Sequence, residues 1–333
     1  RAAGGNETAR ALLAAGEPNM RPMDIDPTFI PYLDQVVASR PIPIHQEDVA
    51  LRRPRIAELR RKTAAPIPPD VRVENWTVPT QAGEFPVRIY WPRGEGVKPC
   101  IIYYHGGGWM YGSPEQSDGT SVRLCQNTGA VIVSPEYRLT PERRFPDAFD
   151  DCYDTLLWTA ENAARLGIDP GRVAVTGESC GGNLSAACSL QARDANGPSI
   201  SLQVLLYPML GTDFETVSYR ENADAPIISR DESIYFWDNY LADEMDKRDQ
   251  RAVPLCAEDF SNLPPAYIVT AEYDPLRDDG ARYAEKLSAA GTPAELHNAE
   301  RLPHGFLGAW SVSDDAGQVG EAICSAFRRA FAA

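Results

Sequence analysis

The sequence of 333 residues is short of basic residues and has no long apolar run. No apolar run approaches the roughly 20 residues that a membrane-spanning helix needs, so we expect no stable membrane insertion. The 32 lysines and arginines are outnumbered by 47 acidic residues, and the resulting net charge of −15 repels the phosphate backbone of nucleic acids. We therefore expect neither a membrane-spanning protein nor a nucleic-acid-binding protein.

Several ligand-binding motifs are also absent. No Gly-Lys-Ser/Thr and no Gly-x-Gly-x-x-Gly spacing occurs, which argues against a nucleotide cofactor. No His-Glu-x-x-His and no cluster of cysteine and histidine occurs, which argues against a metal centre. The seven cysteines form no Cys-x-x-Cys pair, and most lie in apolar stretches, as expected for buried thiols in a reducing compartment. We expect no cofactor, no metal and a cytoplasmic location.

Short apolar runs alternate with longer amphipathic segments over most of the chain. The runs, rich in β-branched residues, are CIIYY (100–104), AVIVS (130–134), RVAVTG (172–177), LQVLLYP (202–208) and AYIVTA (266–271). Before them, VRVENWTVP and FPVRIYWP alternate polar and apolar residues and predict a strand pair. Predicted helices follow the runs in FDDCYDTLLWTAENAARLG, NLSAACSLQARD and DDGARYAEKLSAAG. This alternation predicts an α/β fold with a mostly parallel sheet covered by helices on both faces.

Two segments interrupt this rhythm. Residues 1–65 contain two predicted helical pieces separated by PIPI. The proline-rich segment APIPPD, which cannot continue a helix, follows them. Residues 211–255, between two predicted strands, are too long for an ordinary loop. We interpret 1–65 and 211–255 as two parts of a helical cap on a main domain that spans 66–333. The cap aromatics, which either line a pocket or pack the cap onto the main domain, are Phe29, Tyr32, Phe214, Tyr235, Phe236 and Trp237.

Ser179 is the candidate nucleophile. It lies in VAVTGESCGGNLSAA, where a predicted buried strand runs into Gly177 and a helix begins just after the serine. A Gly-x-Ser-x-Gly turn between strand and helix is typical of a nucleophile elbow, which presents the serine hydroxyl at the carboxyl end of the sheet. The neighbouring Cys180 suggests a rival thiol nucleophile, but this turn geometry presents the central residue.

A serine nucleophile needs a base, and only four histidines are present. His45 lies in the N-terminal break, His105 ends a strand, and His297 falls inside the predicted late strand AELHN. His304, in RLPHGF, follows that strand in a loop, where a base can reach over the serine. His304 is therefore our candidate base.

A carboxylate is needed to orient the imidazole, and EYDPLRDDG offers several. Asp278 and Asp279 precede a helix and are expected to act as N-cap and first-turn residues. Asp274 lies just beyond a strand and is followed by proline, which places it better than the nearby Glu272. The order Ser179, Asp274, His304 along the chain is that of the α/β-hydrolase fold.

Five motifs occur in order: HGGGW, EYRLTPERRFPDAFDD, GESCGGN, EYDPLRDDG and PHGF. Together they resemble those of the hormone-sensitive-lipase-like esterases of the α/β-hydrolase fold, over about residue 70 to the C-terminus. The resemblance implies Ser179 as nucleophile, Asp274 as orienting carboxylate and His304 as base and acid. It also implies hydrolysis of short- to medium-chain acyl esters without a cofactor. Dimerisation is common in the family, so the resemblance is compatible with a homodimer.

The resemblance further implies an oxyanion hole, formed by the N–H groups of Gly106, Gly107 and Cys180. Glu178 and Cys180 depart from the Gly-Asp-Ser-Ala-Gly usual in the family, and Thr140 replaces an alanine. Because Cys180 contributes only its backbone, the assignment survives, but we expect its thiol to alter the shape of the pocket.

Two other functions use the same residues. An amidase or peptidase would use the same triad on a small molecule or peptide, although amides demand more of the acid step. A non-catalytic small-molecule receptor would be expected to lack the base, and His304 is present. The sequence therefore favours a serine esterase that acts on a small-molecule ester.

Overall fold

The computed structural model describes residues 23–80 and 83–332, so residues 1–22 of the predicted N-terminal cap segment lie outside the described residues. Within these ranges, eight strands form one sheet. The strands are β1 (Val71–Thr80), β2 (Gly83–Pro92), β3 (Lys98–Tyr104), β4 (Val131–Pro135), β5 (Ile168–Glu178), β6 (Leu202–Leu206), β7 (Ala266–Tyr273) and β8 (Ala294–Pro303). Their order across the sheet is β1-β2-β4-β3-β5-β6-β7-β8.

The sheet is mostly parallel. The pairs β1–β2 and β2–β4 are antiparallel, and the other five pairs are parallel. Side chains of β3 alternate between the two faces, with Ile101 and Tyr103 in one buried cluster and Cys100, Ile102 and Tyr104 in another. Both faces are thus buried, which explains the nearly continuous apolar runs and confirms the predicted fold class.

The described residues form ten α-helices, which include those predicted from the sequence, one of them interrupted. They are α1 (Ile30–Ala38), α2 (Val49–Thr63), α3 (Asp118–Thr128), α4 (Asp147–Glu161), α5 (Ala163–Leu166), α6 (Cys180–Asp194), α7 (Val217–Glu221), α8 (Arg230–Tyr240), α9 (Arg277–Ala289) and α10 (Asp314–Ala332). The predicted helix of FDDCYDTLLWTAENAARLG is interrupted at Asn162, whose φ of −100° and ψ of 17° are not helical. No helix among the described residues is both long and apolar enough to cross a membrane.

Two pairs of helices come from distant parts of the chain. Helices α1 and α2 precede β1, and helices α7 and α8 lie between β6 and β7. The Glu232 carboxylate of α8 accepts the backbone N–H of Ile44 at 2.9 Å, and Arg40 donates to the Ile227 carbonyl. The two segments are therefore joined to each other by buried and half-buried hydrogen bonds.

Candidate active site

Ser179 occupies a sharp turn between β5 and α6. Its φ of 56° and ψ of −117° form a combination that residues with a Cβ rarely adopt. Its N–H donates to the Leu206 carbonyl at 2.9 Å, which ties the turn to the end of β6. A Cβ on Gly177 would lie 2.3 Å from the Gly181 carbonyl carbon, so this tight turn requires glycine there. The turn leaves Ser179 at the carboxyl end of β5, with 6% of the residue exposed.

Asp274 and His304 follow the neighbouring strands β7 and β8. The Nδ1 atom of His304 lies 2.7 Å from Asp274 Oδ2. Because an ionised carboxylate only accepts, the contact places a proton on Nδ1 and leaves the lone pair on Nε2. Asp274 is 0% exposed, and its Oδ1 accepts the N–H of Leu276 at 2.9 Å, so the carboxylate cannot rotate freely.

All three side chains lie at one edge of the sheet, because β5, β7 and β8 belong to its parallel part. His304, like Ser179, is nearly buried, with 7% of the residue exposed. The residue after Leu206, Tyr207, packs its ring against the His304 ring with centroids 4.9 Å apart. The segment that binds the Ser179 N–H therefore also contacts the imidazole.

Other histidines have different surroundings. His297 lies within β8, and its Nδ1 is 2.8 Å from the Tyr267 hydroxyl. His105 is buried beside the glycine run and stacks on Tyr137 with ring centroids 4.2 Å apart. Burial lowers the pKa of His105 to about 4, so this ring is neutral at physiological pH.

Asp278 and Asp279 were expected to act as N-cap and first-turn residues, and the N-cap part is wrong. Helix α9 begins at Arg277, its N-cap residue is Leu276, and no side chain caps it. Asp278 instead accepts the N–H of Ser218 at 2.8 Å. Asp279 is buried and accepts the N–H groups of Leu210 and Gly211, both at 2.9 Å. Both carboxylates bind the segment that follows β6, because the first turn of α9 faces that segment.

The glycine run after β3 forms a tight loop. Gly107 and Gly108 have φ values of 125° and 61°, which favour glycine. A Cβ on Gly108 would lie 2.2 Å from the Phe236 ring of α8. Gly106 passes close to the nucleophile turn, since a Cβ there would lie 3.1 Å from the Glu178 carbonyl. The loop is thus confined between the nucleophile turn and the inserted helix.

The Cys180 thiol lies against this loop. The N–H of Trp109 points to Cys180 Sγ at 3.2 Å, and the Tyr137 hydroxyl lies 3.8 Å from the same sulfur. Burial raises the pKa of the thiol to about 11, which disfavours a thiolate. These contacts hold the thiol against the glycine loop and Tyr137, and its effect on the shape of the pocket stays a prediction.

Glu178 and Tyr207 are features of the site that sequence reasoning missed. Tyr103 and Tyr207 donate their hydroxyls to the two oxygens of the Glu178 carboxylate, the Tyr207 bond being 2.6 Å long. The departure from aspartate at position 178 was visible in the sequence, but its partners come from β3 and from the residue that follows β6. Only the strand register brings these three residues together.

The helices outside the sheet cover the glycine loop. Trp109 stacks on Tyr240 of α8 with centroids 4.0 Å apart and an interplanar angle of 2°, and Trp237 lies 4.8 Å away. From α2, Arg53 donates to the Met110 carbonyl at 2.8 Å and to the Thr140 carbonyl. For Trp237, these contacts support the packing alternative. Within the described parts of the chain, no three His, Cys, Asp or Glu side chains come together as metal ligands.

Comparisons with known proteins agree with this architecture. Residues 101–308 match the family described as alpha/beta hydrolase fold. The chain is 41% identical to carboxylesterase NlhH of Mycobacterium tuberculosis, over 87% of this chain and 91% of that protein. It is 40% identical to esterase LipI of the same organism, over 85% and 88%.

Solved structures give the same result. The hyperthermophilic esterase from the archaeon Pyrobaculum calidifontis superposes with a TM-score of 0.83 and 35% identity, over 93% of this chain and 99% of that one. The extent and identity of these matches show the family as well as the fold. The chain belongs to the hormone-sensitive-lipase-like esterases of the α/β-hydrolase fold, a family of carboxylic ester hydrolases.

Proposed function

We propose that the chain is a serine carboxylesterase that hydrolyses short- to medium-chain acyl esters through Ser179, His304 and Asp274. The observation that carries the proposal is the 2.7 Å contact between His304 Nδ1 and the buried Asp274 carboxylate, at the sheet edge where Ser179 follows β5. This contact supplies the tautomer in which Nε2 accepts a proton from a serine hydroxyl.

In the proposed reaction, His304 Nε2 takes the Ser179 proton while Ser179 Oγ attacks the ester carbonyl carbon. The bond to the alcohol breaks as His304 returns the proton to the departing alkoxide, which leaves an acyl-serine. Water then attacks the acyl carbon with His304 again as the base, and the carboxylic acid and free serine are released.

The proposed oxyanion hole consists of the N–H groups of Gly106, Gly107 and Cys180. Support comes from the close approach of Gly106 to the nucleophile turn and from the position of Cys180 at the start of α6, where the helix dipole favours negative charge. A short or medium acyl chain is supported by the covered site, since Phe236 packs directly on Gly108.

We further propose that residues 1–65 and 211–255 form the cap of a catalytic domain that spans 66–333. The hydrogen bonds between Ile44 and Glu232 and between Arg40 and Ile227 support a single cap built from both segments. A cytoplasmic location is supported by the seven cysteines, all described and none in a disulfide. We also propose a homodimer, on the ground of the family resemblance alone.

The decisive experiment compares Ser179→Ala, His304→Ala and His297→Ala on aryl esters of graded acyl length, with an anilide as control. We expect the first two changes to lower kcat by up to about 10⁶-fold, as removal of a triad member does, while the fold is retained. His297→Ala should stay within about tenfold of the parent, because His297 lies inside β8. An active Ser179→Ala variant, or a reversed order of the two histidines, would contradict the proposal, and rapid anilide hydrolysis would favour the amidase.

A further inference from the structure

The Glu178 carboxylate lies between two phenols. It ends β5 directly before Ser179, and its oxygens accept the hydroxyls of Tyr103 and Tyr207. Both tyrosines are about 1% exposed, and burial together with the Glu178 charge raises the pKa of both phenols, so both remain donors. Each oxygen of the carboxylate therefore has a fixed, neutral donor.

The two phenols differ in what their rings contact. The Tyr207 ring packs edge-on against His304, with centroids 4.9 Å apart at 63°, and against Phe306 at 5.1 Å and 69°. The Tyr103 ring has no described ring contact with His304. Tyr207 also has a backbone φ of 38°, and its N–H donates to the Val269 carbonyl at 2.5 Å. Its main chain and its hydroxyl are therefore both held.

One hydrogen bond does not fix an imidazole completely. The Asp274 contact holds Nδ1, but the ring can still rock about that atom and move Nε2, which must meet first Ser179 and then the leaving group. A ring packed against one side of the imidazole limits this motion, provided that the packed ring is itself fixed. Misplacement by about 1 Å can cost as much as about 100-fold in rate.

We propose that Glu178 and Tyr207 are positioning residues that hold the His304 imidazole in its reactive orientation, with Glu178 fixing the Tyr207 hydroxyl and Tyr207 restraining the imidazole ring. The inference rests on the proposed role of His304 as base. It assigns a function to the glutamate at position 178, a methylene longer than the aspartate usual at that position.

The test compares Tyr207→Phe with Tyr103→Phe on one short-chain aryl ester. Each change removes one phenol donor from the same carboxylate, so any general effect of a less satisfied Glu178 appears in both variants. We expect Tyr207→Phe to lower kcat about tenfold with KM within about twofold of the parent, and Tyr103→Phe to change kcat by less than about threefold. Equal losses in the two variants, or a change confined to KM, would overturn the proposal.

Glu178 provides a second measurement that does not depend on the stability of one variant. Glu178→Gln keeps a polar contact to both phenols and is expected to retain kcat within about threefold, whereas Glu178→Leu should lose about tenfold. Glu178→Leu combined with Tyr207→Phe should be no slower than the slower single variant, because both changes release the same ring. Multiplied losses would overturn the proposal. An active His304→Ala variant would instead overturn the proposed function.

Discussion

At the scale of single residues, the fully buried Asp274 offers the sharpest prediction. Asp274→Asn removes the charge that holds the proton on Nδ1 of His304, so we expect kcat to fall by roughly 10⁴-fold. The matched control is Asp278→Asn, whose side chain can still accept the Ser218 N–H and which should cost at most about 1 kcal/mol of stability. Turnover and melting temperature of both variants separate the two roles. Loss of turnover in Asp278→Asn alone would place the orienting carboxylate elsewhere.

Cys180 gives a second prediction. Cys180→Ala keeps the proposed backbone N–H donor but leaves the buried Trp109 N–H without its sulfur partner. We expect kcat within about tenfold of the parent and a stability loss of about 1–3 kcal/mol, as for an orphaned buried donor. Cys180→Ser, which keeps an acceptor, should lose less stability. A thiol nucleophile requires the opposite result, with Cys180→Ala inactive and Ser179→Ala active.

The sequence was informative about residues with fixed motifs and uninformative about their partners. Ser179, Asp274 and His304 were each predicted from a position at or after a strand end. The structure brings His304 Nδ1 to 2.7 Å from Asp274 Oδ2, and the role of the three residues as a triad stays a prediction. The ring contact of Tyr207 and the Trp109 contact of Cys180 depend on the register of strands and the path of a loop. No local pattern encodes either, because the contacting residues lie dozens of positions apart.

At the scale of elements, the glycine loop lies under two helices that come from different parts of the chain. Helix α8 contributes Tyr240 and Trp237 against Trp109, and helix α2 contributes Arg53 to the Met110 and Thr140 carbonyls. The succession of strands and helices along the chain was predictable from the spacing of their apolar residues. The contacts of the covering helices were not, because they join surfaces whose sequences show only amphipathic patterns.

Arg53→Met tests this contact of α2. The change keeps the apolar stem but removes hydrogen bonds to two backbone carbonyls and the pair with Glu142. We expect a stability loss of about 2 kcal/mol and a several-fold fall in kcat/KM, because the loop loses a support. Arg61→Met is the control, since Arg61 lies on the same helix in an exposed pair with Glu58, and exposed pairs contribute little to stability. Thermal unfolding and kcat/KM are measured for both variants. Similar losses of stability and of kcat/KM in the two would contradict a specific role of Arg53.

At the scale of the whole molecule, two buried groups give opposite pH dependence. Burial lowers the pKa of His105 from 6.5 to about 4 and raises the pKa of Asp279 from 3.8 to about 7. Between about pH 4 and 6.5, unfolding lets His105 take up a proton and lets Asp279 release one. Stability contributed by His105 is lost as the pH falls through this window, and stability contributed by Asp279 is lost as it rises. Their contributions to the slope therefore cancel.

Asp279→Asn removes one side of this balance. Only the His105 contribution remains, so the free energy of unfolding of the variant should rise with pH relative to the parent, by about 1.4 kcal/mol per pH unit over this window. Urea unfolding of both proteins at three pH values measures the difference between their free energies of unfolding. The contributions of all other titrating groups are the same in both proteins and cancel in this difference. Parallel curves for variant and parent would show that Asp279 does not titrate in this range.

The backbone of Ser179 has a consequence for how this protein responds to selection. A residue with a Cβ at φ 56° and ψ −117° carries a conformational cost of about 1–3 kcal/mol, which glycine would largely remove. The protein is therefore less stable to heat than a variant with glycine at position 179, the position on which its proposed chemistry depends. A search for heat-resistant variants that does not also screen for ester hydrolysis should favour glycine at 179 and return stable, inactive proteins.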